Sequence, residues 1–486
     1  MLTLRWIVLT ALVSSPLAMA AAPVIPSDVD TAPFASYDDA PATVDADDPA
    51  IWVNPQRRAD SLIIATLKEA GLVVYDLRGR TVQVLAPPNL PLISPQDPPT
   101  PAGLNAGPAR PCAESEGETF GRFNNVDVAY GVKIGGKKRD LAIVTDRGCD
   151  RLRIYSIEPN RPQGPLVDIT SSSAPRLYPW RVVQPSALQP GELNAGVQAN
   201  PLDEQDTGYG VGLWQDGDDL YAFVSQRNRS VVQQVKLVAD RDGKVTYRPV
   251  RAFLFDTNFR LRERRGPVLN WAPCRENANE DPQSEGIVVD AENGWLYVAF
   301  ETIGIYRIRL TPHLPLVVQV GHESLFEPVM SFGKPYWAVP DDDEFSCEYE
   351  PEGQPSDDTI VAAGSDAFAG EHLQVDVEGL AIYATGKKSG YVVASSQGDD
   401  TFHVYDRRDA RKHIGTFLVA STGDSDGIAI TSTPLGSGFP AGLVAVQNGE
   451  AEDPPDTGDI NGYEYDGSTQ FRFVDWRKIA GALGLK

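Results

Sequence analysis

The stretch Asp376-Val377-Glu378-Gly379, followed by the apolar run 380–384, decides the fold. A second apolar run, 390–396, leads into Gln397-Gly398-Asp399-Asp400, and a third follows at 402–407. Short runs rich in β-branched and aromatic residues, punctuated by glycine and acidic turns, read as strands. The unit is therefore acidic residue, glycine, strand, turn, strand, polar cluster, strand. It recurs. Six segments align on a polar residue that opens an inner strand, at Asp48-Pro49, Asn125-Val126, Tyr209-Gly210, Glu285-Gly286, Glu378-Gly379 and Asp426-Gly427.

Three or four short strands per unit, six times over, predict an all-β, six-bladed β-propeller. A single blade cannot bury both faces, so neighbours must stack. The units are unevenly spaced, which predicts inserted loops at about 86–121, 159–207, 256–284 and 331–374. The sixth unit lacks an outer strand, and we expect a segment within 25–46 to supply it and close the ring. The one helical pattern lies at 476–483. Two separate β-sandwiches are the alternative, but they would leave the shared polar register without a cause.

The first 20 residues stand outside this pattern. Arg5 precedes an apolar run at 6–13, and Ala18-Met19-Ala20 has the small-x-small form of a cleavage site. This is the pattern of a secretory signal peptide over 1–20, too short to span a bilayer. The expected product is one exported propeller domain, 21–486, periplasmic or secreted. Four cysteines in an exported chain suggest two disulfides. Of three possible pairings, Cys112–Cys149 with Cys274–Cys347 is preferred. The net charge of −24, from 43 basic and 67 acidic residues, repels nucleic acid and favours cations.

The repeat also places a site. The first strand of a blade crosses the ring and the second returns, so residues just before strand one and just after strand two share a face. The pairs are Asp48 with Lys68, Asn125 with Arg147, Tyr209 with Arg227, Glu285 with Glu301, Glu378 with Gln397, and Asp426 with Asn448. Blades one to three thus contribute Lys68, Arg147 and Arg227. Blades four to six contribute Glu285, Glu301, Glu378 and Asp426, with Asp376 and Glu450 close by. Asp47 and Asp48 meet this acidic half where blade one adjoins blade six. Crowded carboxylates stay ionised only with cations between them. Oxygen donors without His or Cys select hard divalent ions, calcium above all. Three cationic side chains beside such a cluster suit a polyanion, phosphate first. Each dipeptide alone is an ordinary turn and each arginine alone an ordinary surface ion pair; the six-fold register and the segregation of charge point to function. The five histidines share no register, and no Gly-rich phosphate loop or Gly-x-Ser-x-Gly elbow occurs. Metal-assisted hydrolysis is the remaining route to phosphate ester cleavage.

Read together, these residues resemble the β-propeller phytases, the calcium-dependent alkaline phytases. The stretches that carry the resemblance are Asp47-Asp48-Pro49-Ala50-Ile51-Trp52, Lys68-x-x-Gly71-Leu72, Asn124-Asn125-Val126-Asp127, Tyr209-Gly210, Ser284-Glu285-Gly286, Asp376-Val377-Glu378-Gly379-Leu380, Ala394-Ser395-Ser396-Gln397-Gly398, Ser425-Asp426-Gly427-Ile428 and Val474-x-Trp476. The resemblance implies stepwise hydrolysis of phytate (myo-inositol hexakisphosphate) to lower inositol phosphates by a monomer carrying several calcium ions. It implies phosphate contacts from Lys68, Arg147, Tyr209 and Arg227, the last a same-charge departure from a family lysine. Asp47, Asp48, Glu285, Glu301, Glu378 and Asp426 match calcium ligands at the catalytic site, and Asn125, Asp376 and Gln397 match ligands of ions that tie blades together. Two departures stand out. Ala420 replaces an acid six residues before Asp426, and the family's Gln-Asp-Gly-Glu-Asn is here Gln447-Asn448-Gly449-Glu450-Ala451. Glu450 or Asp424 is expected to compensate. The rival readings are a calcium-dependent propeller lactonase or esterase, which would need a small apolar pocket rather than a cationic arc, and a non-catalytic module that captures inositol phosphates.

Overall fold

The computed structural model describes residues 21–38, 40–88, 96–101, 112, 120–178, 202, 205–241, 243–263, 266–275, 280–341, 344–349, 360–362, 364–454 and 457–485. The expected leader 1–20 and most of the insertions at 86–121 and 159–207 lie outside these residues. Six sheets of four or five strands form the blades of a β-propeller. Blade one is Pro49–Trp52, Leu62–Thr66, Leu72–Asp76 and Thr81–Leu85, in consecutive antiparallel order. Blade five repeats it with Val377–Ala384, Gly390–Ser396, Thr401–Asp406 and His413–Val419. The inner strands of the others are Phe123–Ile134, Gly208–Asp216, Ser284–Asp290 and Ile428–Thr431. In blade six Val29–Asp30 lies antiparallel on Tyr465–Asp475, with Val29 opposite Phe473, while Val24–Ile25 runs parallel to the outer strand of blade five. The helix Trp476–Leu483 follows, its first turn capped by the Asp475 carboxylate accepting from the Arg477 N–H.

The core is divided among the gaps between blades. One apolar cluster joins blades one and two through Trp52, Ile64, Val126 and Val144. Another joins blades six and one through Ile51, Ile63, Leu443 and Phe471. Others fill the gaps between blades two and three, three to five, and five and six. Each fully buried aliphatic side chain contributes roughly 1.5–3 kcal/mol, so the stacking of neighbours, more than any single sheet, holds the molecule together.

The inner strands differ from their expected form in one useful way. In blades two to five they do not begin at the polar residue; they begin one to two residues earlier and carry an irregularity there. Pairing with the second strand shifts between Phe123 and Val126, Gly208 and Val211, Ser284 and Ile287, and Val377 and Leu380. Asn125, Tyr209, Glu285 and Glu378 all sit inside these bulges, which re-aim a side chain at a strand end. The glycine that follows has its own cause. A Cβ on Gly210 would lie 1.9 Å from the Glu285 carbonyl oxygen, one on Gly286 would lie 2.0 Å from that of Glu378, and one on Gly427 would lie 2.6 Å from that of Asp47. Each glycine therefore admits the backbone of the next blade at the ring's centre. Gly286→Ala is expected to cost about 3 kcal/mol through this overpacking and to weaken metal binding with it, since the displaced backbone carries Glu378. Urea unfolding together with a calcium titration checks both.

The insertion at 256–284 forms the hairpin Phe259–Arg262 with Val268–Trp271. That at 331–374 forms a three-stranded sheet of Tyr336–Asp341, Glu344–Glu348 and Ile360–Ala362. Phe259, Trp271 and Phe332 pack edge to face between them. The disulfide Cys274–Cys347 joins the two insertions, and Cys112–Cys149 ties the insertion at 86–121 to the turn that carries Arg147. No helix among the described residues is long and apolar enough to cross a membrane.

Candidate active site

The bulges and the turns after the second strands deliver their side chains to one face of the ring. Lys68 occupies a left-handed turn, φ 41°, after the second strand of blade one. Its Nζ lies 2.6 Å from Asp45 Oδ2, 3.4 Å from Asp47 Oδ2 and 3.8 Å from Asp426 Oδ2. Burial opposes its charge, but Asp45, Asp47 and Asp426 outweigh burial and raise its pKa. Asp45 was not singled out in the sequence, where it reads as the start of the acidic run ending at Asp48.

On the acidic side, one carboxylate oxygen from each of Glu285, Glu301 and Glu378 lies within 4.8 Å of the other two. All three are buried. Burial, then the charge of Asp426, pushes Glu285 up to about 7. Burial, then Asp376, pushes Glu301 up to about 8. Burial with Glu301, Glu285 and Asp426 raises Glu378 well above the ordinary carboxylate range. Asp47 is raised by burial and by Glu285. Asp426 is raised by burial, and its Oδ1 accepts from Gln397 Nε2 at 2.5 Å while its N–H donates to Gln447 Oε1 at 2.8 Å. Several buried oxygens have no hydrogen-bond donor: Asp47 Oδ1, Glu301 Oε1 and Glu378 Oε2. Such atoms cost about 1–3 kcal/mol each, more when charged. Hard oxygen donors, raised pKa values and orphaned lone pairs are together the marks of a cage for a hard cation.

On the basic side, Arg147 is buried, with its guanidinium carbon 5.5 Å from the centre of the Tyr209 ring. Its Nε donates to Gln205 Oε1 at 3.1 Å and its Nη1 to Asn124 Oδ1 at 3.2 Å. Both acceptors are neutral amides. Burial, with Arg122 and Arg227 close by, lowers its pKa to about 9, so it stays charged at neutral pH without a hydrogen-bonded carboxylate. A buried cation in that condition attracts an anion. Asn124 also donates to Glu285 Oε1 at 3.1 Å and to Asn125 Oδ1 at 2.8 Å. It therefore joins the basic and acidic halves. The Tyr209 hydroxyl hydrogen-bonds Glu285. Arg227 adds positive potential at Arg147 and Glu301.

The remaining sequence candidates divide. Asp48 Oδ2 accepts from the Val126 N–H at 3.0 Å, linking blade one to blade two beside Asn125. Asp376 raises Glu301 and Glu378 electrostatically, so it lies near both. Asn448 is buried with its Oδ1 taken by the Gly423 N–H at 2.9 Å. Glu450 is exposed. Asp424 is the nearer acid, since Lys68, Asp45 and Asp400 all act on its charge. Arg122, which pairs with Glu69 at 2.8 Å, and Gln283, which donates to Glu301 Oε2 at 2.8 Å, were not singled out. Arg122 stands three residues before Asn125 and Gln283 two before Glu285, so the shared register singles out neither.

Fold and face together define a six-bladed propeller whose rim sets a carboxylate cage against an arc of cations. The phytase family model matches residues 2–89 and 328–486. The 3-phytase of Bacillus subtilis (strain 168) is 26% identical over 465 residues, covering 94% of this chain and 84% of that protein. Among solved structures, the Malassezia sympodialis allergen Mala s 1 aligns at 11% identity and a TM-score of 0.38, covering 91% of this chain and 95% of its own. The β-propeller domain of Myceliophteria thermophila Cps50 (Swd1) aligns at 9% identity and a TM-score of 0.31, covering 88% and 83%. The chain belongs to the phytase family, and it is a hydrolase of that family.

Proposed function

We propose that this phytase releases phosphate from phytate, stepwise to lower inositol phosphates, and that the rim is its calcium-dependent active site. The observation behind this reading is the contact of two unlike halves: donor-free carboxylate oxygens at Asp47, Glu301 and Glu378, and a buried guanidinium at Arg147 whose hydrogen bonds go only to neutral groups. The residues that would hold calcium are Asp47, Asp48, Glu285, Glu301, Glu378 and Asp426, with Asn125, Asp376 and Gln397 tying blades together. Asn448 and Glu450 are the weaker candidates, one occupied by a backbone donor and the other exposed. Bound calcium would polarise a phosphoryl oxygen and make an attacking water more acidic.

The chain's own groups would do the rest. Lys68, held by Asp45, Asp47 and Asp426, presents an ammonium to one phosphate. Arg147 offers two parallel N–H donors, which match phosphate geometry. Tyr209, stacked on Arg147 and bonded to Glu285, presents a hydroxyl at the boundary of the two halves. Arg227 would hold a neighbouring phosphate. These charges are fixed before substrate arrives, so little reorganisation is needed as charge moves onto the leaving oxygen. We further read the protein as an exported monomer, a single propeller over 21–486 released from the leader 1–20. Its two disulfides suit an oxidising compartment.

Phosphate release from phytate, with and without EDTA, tests the reading. Release that stops with EDTA and returns with calcium is expected; binding without release would leave a capture module, and release unaffected by EDTA would remove calcium from the account. Arg147→Lys keeps the charge but loses the bidentate fork, and is expected to lower kcat/KM about tenfold to a hundredfold, as read from initial rates.

A further inference from the structure

Three histidines with no common register in the repeat meet in blade five. His403 lies on the third strand and His413 on the fourth. Pairing runs His403 with Thr416 and Tyr405 with His413, and the extra residue between them, Ile414, forms a bulge. Positions 413 and 416 would otherwise point to opposite faces; the bulge places both beside His403. His403 Nδ1 then lies 3.2 Å from His413 Nε2. Thr416 Oγ1 lies 3.1 Å from the first nitrogen and 3.3 Å from the second. His372, from the segment that leads to Asp376, stacks on the His413 ring with centroids 3.8 Å apart.

The proton positions follow from the neighbours. Thr401 Oγ1 donates to Asp399 Oδ1 at 2.7 Å, so it must accept from His403 Nε2, 2.8 Å away. That leaves His403 Nδ1 as an acceptor, its lone pair facing His413 Nε2 and Thr416 Oγ1. A polar chain fixing the far nitrogen of an imidazole is the usual outer support of a metal-binding histidine. The spacing agrees. Metal–nitrogen bonds of 2.0–2.1 Å at a tetrahedral centre put two ligand nitrogens about 3.3 Å apart.

We propose that His403 Nδ1 and His413 Nε2 form a site for a divalent transition ion of the zinc class, with Thr416 and solvent completing its shell. Imidazole donors suit such ions, whereas the carboxylate rim suits calcium. His403 is buried and His413 half-buried.

Co2+ added to the calcium-saturated protein tests the site. In a four-coordinate nitrogen-containing site Co2+ absorbs strongly in the visible, while six-coordinate Co2+ on carboxylates is pale. One equivalent is expected to give the strong band, and Zn2+ to bleach it. His413→Gln should abolish the band, and Thr401→Val, which removes only the outer support, should weaken Co2+ binding about tenfold. Absence of a strong band in the unmodified protein, or an identical band in both variants, would overturn the proposal.

Discussion

Lys68→Met is expected to lower kcat for phosphate release from phytate about 10²- to 10³-fold, the usual loss when a fixed group that stabilises developing charge is removed. Calcium should bind the variant at least as tightly as it binds the parent. The two expectations come from one geometry. The ammonium sits 2.6 Å from Asp45 and within 4 Å of Asp47 and Asp426. Methionine fills similar space without charge, so these carboxylates lose a partner and attract a cation more strongly. Initial rates at saturating calcium, with a calorimetric calcium titration, separate the outcomes. A variant with near-parental kcat would remove Lys68 from the reacting phosphate. A variant that fails because calcium no longer binds would make the lysine a structural member of the cage.

The second large effect concerns the metal-free protein and pH. Glu285 and Glu301 titrate near 7 and 8 in the folded protein, above the ordinary value of 4.5, chiefly through burial. The folded state therefore holds protons that the unfolded chain has released. Stability then falls as pH rises from about 4.5 through 8. Each tenfold gain in proton affinity corresponds to about 1.4 kcal/mol, so the calcium-free protein should lose several kcal/mol between pH 5 and pH 8. Calcium is expected to remove the loss, because a cation held by the folded cage stabilises its ionised carboxylates. Glu285→Gln should raise the metal-free melting temperature at pH 8, since one buried charge disappears, and weaken calcium binding by the cage of Glu285, Glu301 and Glu378 at least tenfold. Thermal melts at the two pH values, with EDTA or calcium, read both effects. A metal-free protein equally stable at pH 5 and pH 8 would contradict the assignment of these three side chains to one crowded cage.

Much of the fold was legible because the propeller repeats its punctuation. Glu285-Gly286, Glu378-Gly379 and Asp426-Gly427 mark the inner strands, and the glycines are fixed by close approach of the next blade. The bulges were not legible, since a bulge is a property of pairing and not of one strand's sequence. The inner strands of blades two to five accordingly begin earlier than their polar residue suggests. The site followed the same division. Lys68, Arg147, Tyr209 and the acidic set come from register, and the structure places them on one face. Asn124, which bridges Arg147 and Glu285, hides behind its neighbour Asn125. Gln205 comes from an insertion with no repeat pattern to read. The histidines of blade five were passed over because their meeting depends on the bulge at Ile414. Asn448 was expected at the rim by spacing, yet its amide oxygen serves the Gly423 N–H.

The most direct measurement is a crystal structure of the protein grown with calcium and a non-hydrolysable hexasulfate analogue of phytate, with calcium located by its anomalous scattering. The account predicts calcium among Asp47, Glu285, Glu301, Glu378 and Asp426, and a sulfate group between those ions and Lys68, Arg147 and Tyr209. Calcium absent from that cage at saturating concentration, or the analogue bound on another face, would contradict it.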